Sequence, residues 1–196
     1  MRLTRSLTSG LTRREGDPPG VFWGVGDRGP NIKPGDAAAR YGLAHLAPLA
    51  VIDGAKVMPL ADTGPALARF RLHDGRVELE QWLPLRTPDG KRLPGVAPPA
   101  LAGAESEPVY GLDGTLLPTD PDGADTEGVA ALPDGRFWIA EEYGPSLLLV
   151  GADGTVQRRL VPAGMAALHA DSTVPTSAAL AAIAAARKLK RGFEAL

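Results

Sequence analysis

Residues 125–146 read DTEGVAALPDGRFWIAEEYGPS, and this stretch decides the fold class. Two short apolar runs, Thr126–Leu132 and Arg136–Ala140, flank Pro133-Asp134-Gly135, the chemistry of a tight turn between antiparallel strands. Asp125 and Glu127 open the first run, and Glu141 and Glu142 close the second. A shorter version, VFWGVGDRGPN, occupies Val21–Asn31. Setting Phe22-Trp23 on Phe137-Trp138 (137 − 22 = 115) places Asp27 on Glu142 and Gly29-Pro30 on Gly144-Pro145. A repeated strand that ends in carboxylates beside a Gly-Pro turn predicts a repeat architecture with an acidic, cation-ready rim.

Working outward, Ser146–Gly151 and Thr155–Val161 read as two further strands around Ala152-Asp153-Gly154, which extends the block into an antiparallel meander like a propeller blade. Upstream, Ser9-Gly10-Leu11 and Val21–Gly26 are predicted strands. Ala66–Leu72 and Arg76–Leu83 form a predicted hairpin around His73-Asp74-Gly75. A second hairpin is expected where Leu49–Ile52 and Ala55–Leu60 flank Asp53-Gly54. Ala37–Leu46 reads as a short helix with Asp36 as its N-cap, and Thr87–Glu107, rich in proline and glycine, as a long surface excursion. Near the end, Ser177 is expected to cap a helix over Ala178–Leu189, closed by Gly192. Its cations Arg187, Lys188, Lys190 and Arg191 read as a solvated end that complements the helix dipole.

The composition agrees with a turn-rich β chain. In 196 residues there are 24 glycines and 19 prolines, and they punctuate apolar runs rather than form low-complexity tracts. The formal net charge of −2 gives no basic surface for nucleic acid. With no cysteine, thiolate metal sites, thiol nucleophiles and disulfides are excluded. The N-terminal stretch MRLTRSLTSGLTRREGDPPG lacks the apolar segment of a signal peptide. The longest apolar run, Ala178–Ala186, is too short to span a bilayer.

Most short motifs fall away. Gly24-Val25-Gly26-Asp27-Arg28-Gly29 matches a dinucleotide fingerprint, but Pro30 and Pro34 follow where a helix would have to open, and no βαβ pattern surrounds it. No nucleophile elbow, His-Glu zinc motif or phosphate loop is present, and His45, His73 and His169 sit in no motif. Asp120, Asp122, Asp125 and Glu127 put four carboxylates in one short stretch, yet Gly123 and Ala131 fall where an EF-hand does not allow them. For Asp120 and Asp122 the solvated acidic loop is the favoured reading.

Asp125, Glu127, Glu141 and Glu142 favour a site. Carboxylates two apart on a strand share a face, and like charges there call for a cation, an arginine or solvent. Converging carboxylates suit Ca²⁺, a cation that takes oxygen ligands and polarises phosphate oxygens. Arg28, beside Asp27, either binds a phosphate or pairs with a neighbouring carboxylate.

The segments GVFWGVGDRGPNIKPGD, DPDGADTEGVAALPDGRFWIAEEYGPSLL and KLKRGFEAL resemble the phytase-like family, described as having esterase-like activity of phytase, along essentially the whole chain from about Ser9 to Leu196. The resemblance implies a mainly all-β, β-propeller-like fold of antiparallel blades. It also implies export in bacteria to the periplasm or medium, and hydrolysis of a small-molecule phosphate ester. Carried over, the implied site comprises Asp27, Arg28, Asp125, Glu127, Glu141, Glu142 and Glu194: Glu127 and Glu142 catalytic, Arg28 on the substrate, and the carboxylates on Ca²⁺. Glu194-Ala195-Leu196 reads as the opening of another repeat, so residues 1–196 are expected to be one domain truncated at its C-terminus. Two other readings stay open: a non-catalytic binding module with a structural ion, and an inactive fragment of a longer enzyme.

Overall fold

A computed structural model describes residues 8–102, 104, 106–186 and 192–196. The chain forms β1 (Gly10–Thr12), β2 (Val21–Gly26), helix α1 (Pro34–Tyr41), β3 (Lys56–Val57), β4 (Ala66–His73) and β5 (Arg76–Pro84). It continues through β6 (Val109–Tyr110), β7 (Thr126–Ala131), β8 (Phe137–Glu141), β9 (Ser146–Val150), β10 (Val156–Pro162) and β11 (Thr176–Leu180). Two open sheets dominate, one ordered β1-β2-β4-β5 and the other β11-β10-β9-β8-β7, with a small parallel pair β3-β6 beside them. The fold is therefore mainly β and built of antiparallel meanders; among the described residues the sheets do not close into a ring.

The turns explain the meander. In the β7–β8 turn the Asp134 carboxylate accepts the Arg136 amide at 3.1 Å, and in the β9–β10 turn Asp153 accepts the Thr155 amide at 3.0 Å. An aspartate that satisfies the amide two residues on mimics a backbone turn and holds the loop short. The β4–β5 hairpin turns on Asp74 and Gly75, with φ of 48° and 69°, as a two-residue turn requires.

Both sheets bury one face in a common core. Trp23, Val25 and Leu67 meet Val129, Phe137, Ile139, Leu148, Val150 and Val156, and the Trp23 and Phe137 rings lie 5.0 Å apart. The sheets meet where β1 and β2 lie against β7. Glycine makes the contact possible: a Cβ on Gly10 would stand 2.7 Å from the Glu127 carbonyl oxygen.

Four expectations change. Leu49–Leu60 is no hairpin: Ala44–Val51 is a 3-10 helix, and Lys56–Val57 pairs in parallel with Val109–Tyr110. Its apolar residues serve a different cluster, where Leu46 and Val57 pack with Ala37 and Leu49. Helix α1 starts earlier than expected, with Lys33 at its N-cap and Asp36 in its first turn.

Over its described residues, 178–186, the expected C-terminal helix near residues 178–189 is also replaced. Thr176–Leu180 is a strand parallel to β10, followed by a single 3-10 turn over Ala182–Ala185. Sheet hydrogen bonds such as Arg159 N to Pro175 O at 2.9 Å outweigh the helix preference of alanine. The basic cluster Arg187–Arg191 lies outside the described residues.

The excursion 87–107, finally, is not all surface. Leu93, Val96 and Ala97 are buried, with Leu93 N bonded to Leu85 O at 3.0 Å and Gly95 N to Ala61 O at 2.8 Å. The segment crosses directly over Arg28, and a Cβ on Gly95 would stand 2.2 Å from the Arg28 carbonyl oxygen.

Candidate functional site

The site lies where β2 and β8 end and β7 begins. The β7–β8 register runs Thr126↔Glu141 and then Gly128↔Ala140, which leaves Glu127 as the extra residue of a bulge. A bulge re-aims its side chain, and here it turns Glu127 towards its acidic neighbours. Glu142 follows the last residue of β8, and its amide donates to the Asp125 carbonyl at 2.9 Å. Asp125, Glu127 and Glu142 each offer a carboxylate oxygen, and the three lie within 4.8 Å of one another.

Electrostatics mark Glu127 as the strained member. Its partial burial, with Asp125 and Glu142 beside it and Asp27 further off, pushes its carboxyl up to about 7, against a hydrogen bond with Ser9. A carboxyl that titrates near neutral pH suits proton transfer, and also marks a place where a cation would relieve repulsion.

Behind the carboxylates stands a buried ionic network. Arg28 is 4% exposed; its Nη1 lies 2.5 Å from Glu107 and its Nε 3.2 Å from Asp125. The same Nη1 donates to the Tyr143 hydroxyl, and the guanidinium lies over the Tyr143 ring at 5.1 Å from its centroid. Burial opposes the charge, but Tyr143, Asp125 and Glu107 outweigh it and hold the guanidinium above its ordinary value. Asp125 also accepts the Arg28 amide at 3.3 Å. Arg28 is thus an anchor that fixes Asp125, and its partners are protein groups.

Glu141 has a different post from its neighbour. It is 1% exposed and accepts the amides of Asp125 (3.2 Å), Tyr143 (2.7 Å) and Gly144 (3.1 Å) and the Ser146 hydroxyl (3.1 Å). Burial pushes its carboxyl up to about 7, against the pull of Arg159 and the donated amides. Glu141 shapes the loop that carries Glu142 and stands outside the three-carboxylate cluster. Asp27 does the same in the first sheet, accepting the amide of Gly29 at 2.9 Å as Glu141 accepts that of Tyr143.

Asp27 is half-buried and within electrostatic reach of Glu127. Glu194 is exposed, on a terminal segment that crosses the ends of β7 and β8. Gly192 N bonds to Glu142 O at 3.0 Å and Phe193 N to Glu141 O at 3.1 Å, while Ala195 lies against Gly128.

The structure therefore brings Asp125, Glu127 and Glu142 together, keeps Asp27 near, and buries Arg28 and Glu141 beside them. Sequence reasoning missed Glu107 and Tyr143. Glu107 sits in an aperiodic, proline-rich segment with no local signal. Tyr143 lay inside the decisive stretch, and its position between Glu142 and Gly144 was the available clue. Also missed was a second buried knot. Arg159 Nη1 donates to Pro121 O at 2.8 Å and lies 2.6 Å from His169 Nδ1, while Ser172 donates to Asp122.

A mainly β chain with antiparallel meander sheets and a carboxylate cluster at the strand ends defines the class of protein. The chain belongs to the phytase-like family, described as having esterase-like activity of phytase, whose model matches residues 6–196. Comparison with curated proteins and with solved structures found no match. Among the described residues, no helix is long and apolar enough to cross a membrane.

Proposed function

We propose that the chain is a metal-dependent phosphoesterase whose two meanders are neighbouring blades of a propeller-like fold. The observation that carries this reading is the mutual approach of Asp125, Glu127 and Glu142 within 4.8 Å. Oxygens about 2.3–2.6 Å from one calcium ion stand at such separations, and an all-oxygen donor set suits a hard cation. The residues fit the ion: Asp125, Glu127 and Glu142 would hold it, with water or substrate supplying the remaining oxygens, and Asp27 and Glu194 as outlying carboxylates. When bound, the cation supplies neutralisation of charge on a phosphate oxygen.

The chain's own residues do the rest. Arg28 fixes Asp125 through its Nε contact, and Glu141 fixes the loop that bears Glu142. Glu127, as a carboxylate, accepts the proton of a water that attacks phosphorus. Glu127 then returns that proton to the departing oxygen as the phosphorus–oxygen ester bond breaks, so the alcohol leaves neutral.

Calorimetric titration of Ca²⁺ into the protein tests the site, and turnover of 4-nitrophenyl phosphate with and without chelator tests the chemistry. Glu142→Gln is expected to weaken calcium binding, and Glu127→Gln to lower turnover about 10²-fold or more. Unchanged turnover in both variants would remove these residues from the mechanism. Calcium-dependent melting with no turnover on any phosphoester would instead make the cluster a structural ion site.

A further inference from the structure

Arg159 of β10 is the largest of the fully buried side chains among the described residues, 1% exposed. The registers Arg159↔Leu148 and Leu148↔Ile139 set it in one row with two residues of the main core. Two residues on from Ile139, Glu141 shares that face of the sheet and pairs with Ser146. An arginine in an apolar row is costly, and a hydrophobic residue of similar volume often serves stability as well or better. Its Nε finds no hydrogen-bond partner among the described residues, a further cost that packing of the strand does not explain.

The rest of the guanidinium reaches segments that carry the carboxylate site. Nη1 donates to Pro121 O at 2.8 Å, and Nη2 donates to Asp122 O at 3.4 Å. Both carbonyls belong to the stretch that leads into Asp125, and Ala124 of the same stretch is buried in the main core. His169 Nδ1 closes this side, 2.6 Å from Nη1 and 2.7 Å from Pro121 O. Burial lowers the pKa of Arg159, and Glu141, Asp122 and Asp120 oppose that effect, Glu141 first. Glu141 in turn accepts the amides of Asp125, Tyr143 and Gly144, on either side of Glu142 and before β7.

We propose that Arg159 is a positioning residue for the carboxylate site, holding the approach to Asp125 by two carbonyls and the Glu142 loop by attraction to Glu141. It touches neither cation nor substrate and acts through these two segments. Groups that orient metal ligands in this way typically change metal affinity by about 10–100-fold when removed. The effect on affinity rests on the calcium site proposed above, whereas the effect on the two segments does not.

Amide hydrogen exchange on the full chain, without added calcium, tests the segments. Arg159→Met is expected to speed exchange of the Asp125, Tyr143 and Gly144 amides about tenfold or more beyond any change at Ile139 and Leu148 in the strand centres. Val156→Ala is the control: Val156 is equally buried on the same strand but pairs with Val150, at the other end of the sheet from Glu141. There all these amides should change in step. Calorimetric titration of Ca²⁺ should give an affinity about tenfold or more weaker in Arg159→Met and unchanged in Val156→Ala. Arg159→Lys, which keeps the charge but not the fork, should recover part of both losses.

Exchange at Asp125, Tyr143 and Gly144 that only follows the strand centres in a folded Arg159 variant overturns the proposal. Should Arg159→Met not fold, the same comparison in Arg159→Lys decides it. Equal loss of calcium affinity in Arg159→Met and Val156→Ala also overturns it, by reducing Arg159 to general stability. Wild-type protein that binds no calcium would sink the metal-dependent reading, and the exchange comparison would still decide the role of Arg159.

Discussion

Arg28 Nε stands 3.2 Å from an Asp125 carboxylate oxygen, and both side chains are about 4% exposed. They are 97 residues apart in sequence, one just past β2 and the other just before β7, so this pair locks the two sheets together at the site. Burying two charges is costly, and the pair persists because Glu107 and Tyr143 complete the donor pattern of the guanidinium.

Removing the arginine should therefore expose that cost. Arg28→Leu leaves Glu107 and Asp125 as buried like charges and is expected to destabilise the fold by about 3–5 kcal/mol. Adding Asp125→Asn to it should cost much less than the sum of the two single changes, since the residues share one network. Denaturant titration of the four proteins measures this, and simple additivity would refute the coupling.

Glu127 makes stability fall with rising pH. Its folded carboxyl titrates near 7 against an ordinary value of 4.5, so between these values the folded state holds a proton that the unfolded state has lost. The folded state binds more protons there, and the unfolding free energy decreases as pH rises through that window. Glu127→Gln should reduce this slope and leave the share of Glu141, which is raised to about 7 as well, and saturating Ca²⁺ should reverse the Glu127 penalty while releasing a proton at pH 7. Melting temperatures at pH 5 and 7.5, with calorimetry in two buffers, provide the check.

His169 acts in the opposite direction. Burial, with Arg159 beside it, lowers its pKa from 6.5 to about 4, so between these values the unfolded state binds the extra proton. Its contribution to stability is whole above 6.5 and is lost as pH falls towards 4. His169→Gln should remove that acid sensitivity, which separates it from the Glu127 effect. An acid limb unchanged in the variant would exclude His169 as the cause.

Gly10 tests the meeting of the sheets. With 2.7 Å between its would-be Cβ and the Glu127 carbonyl oxygen, Gly10→Ala must push β1 away from β7. A loss of about 1–3 kcal/mol is expected, as for overpacking elsewhere. Because the displaced backbone belongs to Glu127, calcium affinity should fall as well. Wild-type stability and affinity in Gly10→Ala would show that the contact does not matter.

Much of the fold was legible in local pattern. The runs around Pro133-Asp134-Gly135 and Ala152-Asp153-Gly154 carry both strand periodicity and turn chemistry, and the second sheet follows them closely. Residues 49–60 and 178–186 depart from their local signals, an Asp-Gly pair and an alanine run, because those are weak local preferences. Packing on Ala37 and sheet bonds to β10 override them.

Turns and strand alternation act over a few residues, so local sequence suffices for the antiparallel meander, the carboxylates beside its strands and the family. Which carboxylates meet depends on long-range packing. The repeat aligns Trp23 with Trp138, yet the ring that faces Trp23 in the core is Phe137. A shift of one residue reverses every side chain of a strand. It is this parity that turns Glu141 into the core, where it matches Asp27 by holding the amide two residues on, and leaves Glu142 to join Asp125 and Glu127. Glu107 and Tyr143 reach Arg28 across 79 and 115 residues, separations at which no local pattern speaks.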